Sequence, residues 1–317
     1  MKENNEDDDV NRQVEPTSDG QVEPTSDSGV TRVEPDDAMR ESGENERSEP
    51  NDMQIGILAN LAIEYIKYGK HVSELFSPPR VCRAALKIGL KPGMSFDMTE
   101  TDPDDGEPWD FTVYEKRRKA KEIVERDKPF LLVGSPPCRA FNVLFGSNIS
   151  RMDPKKVQEI IREGKSHIYF CIELYKMQMR EGRFFLHEHP LSAWSWKLDS
   201  VRELRECSDV YKIRGDMCRF NMIINDAQGP ALAYKPTGWM SNSKHILNEL
   251  NKLCTNNDST HPPHRHADLQ SGRAAQAAIY PEKLCLSILK GLRKELVSNK
   301  VMYTGEIGTV CEDHDEK

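Results

Sequence analysis

The chain has 317 residues, 37% of them apolar, with 44 Lys and Arg set against 52 Asp and Glu. No run approaches the ~18 apolar residues that a membrane-spanning helix needs, and MKENNEDDDV lacks the basic-then-apolar order of a secretory leader. Eight cysteines are too few for a disulfide scaffold at this length, which points to a reducing, intracellular home.

Residues 1–52 carry 17 acidic and 5 basic side chains and contain no Leu, Ile, Phe, Trp or Tyr. QVEPTSD at 13–19 recurs at 21–27, and a shorter VEP follows at 33–35. Such a segment cannot bury enough apolar surface to offset chain entropy, so it reads as a disordered, acidic, low-complexity tail. A folded domain is expected over 53–300, with a flexible acidic tail at 301–317 ending in EDHDEK. Between the acidic ends, residues 53–311 are net +7, a balance compatible with a polyanion partner.

IGILANLAIEYIKYG (55–69) has apolar residues at helical spacing. VSELF (72–76) reads as a short strand and VCRAALKIG (81–89) as a helix. MSFDM (94–98) and WDFTV (109–113) read as strands, and KRRKAKEIVER (116–126) as a charged helix. FLLVG (130–134) is a strand bounded by Pro129 and by Pro136–Pro137. Asp153–Pro154 is a helix-start signal ahead of a long helix, and FFLHE (184–188) is the next strand. Strands alternating with helices predict an α/β fold, with a mostly parallel, Rossmann-like sheet covered on both faces. Ligands in such sheets sit at the carboxyl ends of the strands, which singles out Glu74 to Arg80, Asp97, Asp110, Ser135 to Arg139 and His187 to Pro190.

Cys138 follows a buried strand and a Gly-Ser-Pro-Pro turn, with Arg139 supplying positive charge beside it. It reads either as a nucleophile, which would need its thiolate, or as an inert buried thiol. Glu188 ends an apolar strand between two histidines. It could exchange a proton with a ring nitrogen of a base, or it could be an acid paired with a histidine at a strand exit.

Taken together, these segments bring a family into view. GSPPCRAFNVL (134–144) resembles the Pro-Pro-Cys motif of cytosine-5 DNA methyltransferases, and HEHP (187–190) falls where that family has Glu-Asn-Val. ELFSPPRVCRAALKIG (74–89) is similar to its Asp-Leu-Phe-x-Gly cofactor loop and helix. The resemblance spans roughly residues 72–190 and is nearest to compact, divergent, mobile-element-associated members with the class I methyltransferase fold. It implies S-adenosylmethionine as cofactor, held by Glu74, Phe76, Ser77, Asp97, Asp110 and Pro136, with Asp97 at the ribose and Asp110 at the adenine amine. It also implies that Cys138 adds to C6 of a flipped-out cytosine while Glu188 assists at N3, with Arg139 contacting the nucleic acid. DNA is the expected partner ahead of RNA, in the nucleus rather than the cytoplasm. Pro78, Pro79 and Arg80 stand where the family has glycines, His189–Pro190 replaces Asn-Val, and DMCRFN (216–221) occupies the place of a Gln-x-Arg-x-Arg segment. These departures leave a second reading, a catalytically inactive methyltransferase-like protein that binds nucleic acid.

The remainder suggests a small target-recognition and Cys/His region over 200–270. KPTGWMSNS (235–243) reads as a turn-rich loop that could contact phosphate through Lys235 and Thr237 or be structural, with Trp239 meeting either a base or the core. Cys254, His261, His264 and His266 lie within 13 residues and form a zinc site, a solvent-exposed polar loop or a set of histidines that bind a nucleic-acid backbone. YPEKLCLSILKGLRKEL (280–296) is an amphipathic core helix opened by Pro281, and the closing helix is expected over 280–297. KRRKAK (116–121) is a nuclear-localisation signal, a polyanion contact or a solvated helix face.

Overall fold

The computed structural model describes residues 69–257, 262–270 and 272–299, together with Gly56. The expected acidic tails and most of the expected helix over 55–69 lie outside the described residues. Four short apolar segments form parallel strands: β1 (Val72–Leu75), β2 (Pro92–Phe96), β3 (Leu131–Gly134) and β4 (Phe184–Pro190). Helix α1 (Arg80–Lys87) links β1 to β2. Helix α2 (Tyr114–Asp127) precedes β3, and α3 (Val143–Asn148) and α4 (Pro154–Arg180) lie between β3 and β4. Asp153 caps α4 by accepting from the Lys155 backbone N–H at 2.9 Å, ahead of Pro154 in the first turn.

Two further strands complete this sheet. β5 (Tyr211–Asp216) follows α5 (Asp199–Arg205), and β8 (Pro236–Ser241) precedes α6 (Lys244–Leu250). The strand order is β2-β1-β3-β4-β8-β5, and β8 runs antiparallel to both neighbours. The sheet is therefore mixed rather than parallel throughout. A smaller sheet has the order β6-β7-β9, from β6 (Ile223–Asp226), β7 (Gly229–Ala233) and β9 (His266–Ala267). Helix α7 (Glu282–Ser298), capped by Pro281, closes the described fold.

Alternation along the strands divides the apolar interior into two layers. Leu131, Val133 and Leu186 face α1, α6 and α7, whereas Leu132 and Phe185 face α2, α4 and α5. Each fully buried Leu or Phe of this kind contributes about 1.5–3 kcal/mol. Among the described residues, no helix is long and apolar enough to cross a membrane.

Two segments depart from the sequence expectation. WDFTV is a turn with Trp109 and Phe111 buried, because the Trp109 and Asp110 N–H groups donate to the carbonyls of Glu100 and Pro108; Phe96 and Trp109 meet edge to face, and Phe111 packs tilted against both. KPTGWMSNS supplies β8 instead of a loop, and Trp239 is fully buried in the core. The propensity of Gly, Pro and Ser for turns is overridden there by pairing on both sides of the strand.

Candidate active site

The first two strands run outward from β1 to β2, and the chain then returns to place β3 on the other side of β1. The point of reversal therefore lies between β1 and β3, and the carboxyl ends of such strands are the usual ligand position in an open α/β sheet. The residues that follow are Phe76 to Arg80 on one side and Ser135 to Arg139 on the other.

The Pro-Pro-Cys loop is held from below and from behind. Gly134 lies over Tyr175, and a Cβ there would meet Tyr175 Oη at 2.0 Å. Ser135 Oγ hydrogen-bonds Tyr280 Oη at 2.6 Å. Pro136 is buried and Pro137 exposed, while Cys138 sits at φ −89° and ψ 0°, the bridge region. Its carbonyl accepts from Phe141 N–H at 2.9 Å and starts a 3₁₀ turn over Arg139–Phe141. Arg139 is exposed.

Glu188 is buried in β4, next to β3. Its Oε1 lies 3.4 Å from Lys235 Nζ, on the chain leading into β8, yet accepts no hydrogen bond among the described residues. Cys138, Glu188 and Lys235 are coupled electrostatically. Burial pushes the Cys138 thiol up from its ordinary value, the Glu188 carboxylate pushes it further, and the Lys235 ammonium pulls it back. Burial is the largest of these effects, and the thiol stays above its ordinary value.

The flanking histidines, read at first only as neighbours of Glu188, hold the site. His189 Nδ1 bonds Ser195 Oγ at 2.6 Å, and its ring lies against the backbone of Pro136 and Pro137. Burial and Lys235 hold it down at about 3, so it is a neutral spacer between β4 and the cysteine loop. His187 Nδ1 meets Tyr175 Oη at 3.1 Å, and burial likewise keeps it neutral. Tyr280 was also missed by sequence reasoning, since its place in an amphipathic stripe gives no sign that it faces Ser135.

On the β1 side the expected ligands divide. Glu74 is wholly buried, with Oε1 accepting from Cys82 N–H at 2.7 Å and Oε2 from Ser77 Oγ at 2.9 Å. Both residues thus fasten the start of α1 to β1. Phe76 adopts φ +55°, a left-handed conformation that strains a bulky side chain, and it packs on Phe111 and His167 at 4.9 and 5.0 Å. Asp97 and Asp110 are half-buried, and each uses Oδ1 to accept from a threonine two residues on. Beside Asp110 and Phe76, His167 is buried with neither ring nitrogen hydrogen-bonded among the described residues. An aromatic ring, two carboxylates with a spare oxygen and an unsatisfied imidazole fit a flat, amine-bearing purine with a ribose. Phe76, Asp97, Asp110 and His167 supply these groups on the β1 side.

Lys235 and Thr237 separate in the same way. Lys235 reaches Glu188 and the Ala277 carbonyl, whereas Thr237 is buried and donates to the Lys235 carbonyl at 3.2 Å. Within KRRKAK, Lys116 and Lys119 are tied to the buried Asp102, Lys121 pairs with Glu173, and Arg118 pairs with Glu122. Arg117, Arg118 and Lys121 line a groove of about 750 Å³ between α2 and α4, to which Cys138 does not contribute.

The expected metal ligands are partly gathered. Cys254, His264 and His266 come together, joined by Cys218 from DMCRFN; His261 lies outside the described residues. Cys218 was invisible from local spacing because it follows β5, far upstream in sequence.

No protein-family model matches the chain, and no curated protein matches it. The functional reading rests on the geometry and on the resemblance carried by the Pro-Pro-Cys and His-Glu-His-Pro segments.

Proposed function

We propose that the chain is an S-adenosylmethionine-dependent methyltransferase acting on C5 of cytosine in DNA, with a fold of the class I methyltransferase kind. The observation that carries this reading is the placement of the Cys138 loop after β3 and of Glu188 toward the end of the adjacent strand β4, with Lys235 Nζ 3.4 Å from the Glu188 carboxylate. The reversal of strand order beside β1 supports it, since this is where an open α/β sheet takes a nucleotide.

A cytosine extruded into the site would present N3 to Glu188 and C6 to Cys138. Glu188 shares a proton with N3, which withdraws electrons from the ring and removes the negative charge that disfavours the thiolate. As Cys138 forms the S–C6 bond, its S–H proton passes to the Glu188–N3 pair, and the electron pair of the C5–C6 double bond moves to C5. S-adenosylmethionine, when bound, supplies an electrophilic methyl group. Loss of the C5 proton to a base expels Cys138 as the C5–C6 double bond re-forms. Lys235 holds the Glu188 carboxylate in place throughout, and Tyr175, His187 and His189 fix the two strands that carry the reacting groups.

Calorimetric titration of the full-length protein with S-adenosylmethionine, followed by transfer of labelled methyl to DNA, tests the reading. Saturable binding and label on cytosine are expected, with transfer abolished by Cys138→Ser and lowered about 10²-fold or more by Glu188→Gln. Absence of both cofactor binding and transfer would overturn it.

A second reading, nucleic-acid binding without catalysis, is favoured by one observation. Pro78 and Pro79 offer no N–H, and Glu74 and Ser77 are bound to the loop itself, so the β1 exit gives a cofactor few donors. Retention of DNA by a protein that fails to bind the cofactor would select this reading.

A further inference from the structure

We propose that Cys218, Cys254, His264 and His266 form a closed, tetrahedral Zn²⁺ site that staples the small sheet to the end of the large one. The inference is independent of the methyltransferase reading. All four donor atoms lie within 4.8 Å of one another. Cys254 Sγ is 3.5 Å from His264 Nε2 and 3.6 Å from His266 Nε2, and the two Nε2 atoms are 2.8 Å apart. Tetrahedral bonds of 2.0–2.3 Å require donor separations of about 3.3–3.8 Å. The sulfur–nitrogen distances already meet this requirement, and the imidazoles need only a small separation.

Chemistry and surroundings point the same way. Two thiols and two imidazoles are the donor set that selects zinc over hard cations, and four protein ligands leave no open position, which marks a structural site. His264 Nδ1 faces the Pro262 carbonyl at 2.9 Å, so that nitrogen carries the hydrogen and Nε2 turns its lone pair to the cluster. Cys254 is fixed through its N–H to Asp216 Oδ2 at 2.9 Å, and Asp216 is itself gripped by Arg214 through contacts of 2.8 and 3.1 Å. A cavity of about 120 Å³ is lined by Cys218, Cys254 and His266 together with Lys235. The cysteines are free, not joined as a disulfide.

The site also answers a structural need. The chain over 251–257 and 262–265 has no regular secondary structure, and β9 has only two residues. Ligands drawn from the exit of β5, the exit of α6 and β9 would fasten this stretch where apolar packing is thin. On binding, two S–Zn bonds form as two S–H protons leave to solvent, while the two neutral imidazoles donate lone pairs without releasing a proton.

Elemental analysis of the purified full-length protein is expected to find one zinc per chain. Co²⁺ added after chelation should give the d–d bands of a tetrahedral ion and sulfur-to-cobalt charge transfer. Cys218→Ser and His266→Ala should lose the metal, whereas Cys207→Ser and His261→Ala should keep it. A wild-type protein without zinc and without tetrahedral cobalt bands would overturn the proposal, and so would a Cys218–Cys254 disulfide found by mass spectrometry. Loss of metal in His261→Ala with retention in Cys218→Ser would replace this ligand set by the local one. The cobalt spectrum is read on the wild-type chain, so a variant that misfolds does not blunt the test.

Discussion

Lys235 Nζ stands 3.4 Å from Glu188 Oε1 without completing a hydrogen bond to it, and the two opposite charges act in opposite senses on the Cys138 thiol. This arrangement determines how methyl transfer should depend on pH. Because the thiol lies above its ordinary value, its reactive thiolate grows with rising pH, and the transfer rate of the free enzyme should climb from neutral into alkaline solution. Glu188→Gln removes the charge that raises the thiol and should move the inflection to lower pH, although it lowers the maximal rate. Lys235→Met removes the charge that lowers the thiol and should move the inflection upward. A pH–rate profile of kcat/KM for the three proteins checks both directions, and shifts of the same sign would refute the triad.

Gly134→Ala should disable the cysteine loop from beneath. The added Cβ would come within 2.0 Å of Tyr175 Oη, whose hydroxyl meets His187 inside the core. A loss of about 1–3 kcal/mol is expected from such overpacking. Pairing it with Tyr175→Phe removes the clashing oxygen and should restore part of the loss, as denaturant midpoints would show.

His167 should trade stability against cofactor affinity. Burial holds it at about 4, despite an upward pull from Asp110, so it is neutral at pH 7 with two unpaired ring nitrogens. A buried polar group left unpaired costs about 1–3 kcal/mol. His167→Leu should therefore keep or raise Tm while weakening S-adenosylmethionine binding about tenfold, read by calorimetry. An unchanged Kd would show that the imidazole does not meet the cofactor.

Asp102 should govern acid stability. Burial raises its carboxyl, but Lys119 and Lys116 outweigh that and hold it at about 2, below the usual carboxylate range. Its contribution is therefore full above the ordinary value near ~4 and is lost as the pH falls toward 2. Urea midpoints measured across that interval should fall more steeply for the wild type than for Asp102→Asn. The variant should be the less stable protein at neutral pH, because two ammonium groups over Trp109 then lack their shared partner.

Much of the sheet could be read from local pattern. FLLVG and FFLHE are apolar runs bounded by proline or glycine, and the Asp153–Pro154 pair marks the start of α4 as observed. WDFTV misled because its alternation reflects two aromatic side chains, Trp109 and Phe111, inserted into the core from a turn, with Asp102 and its lysines closing the loop behind them. KPTGWMSNS misled because strand pairing with β4 and β5 is a long-range effect that turn propensity does not register. At the site, Cys138 and Glu188 stood out because each follows or ends an apolar run. Glu74 and Ser77 occupy expected positions in the loop, but their mutual hydrogen bond turns them inward. Lys235 was legible as a basic group, not as the partner of Glu188, since that contact depends on the reversal of β8.

That reversal has a mechanical corollary. Between the end of β7 and the start of β8 the chain passes through Tyr234 and Lys235 alone. A tilt of the small sheet therefore tugs directly on the ammonium that steadies Glu188, through a leash two residues long. Lengthening the leash by inserted glycines should therefore loosen the placement of the ammonium beside Glu188 while both sheets stay paired.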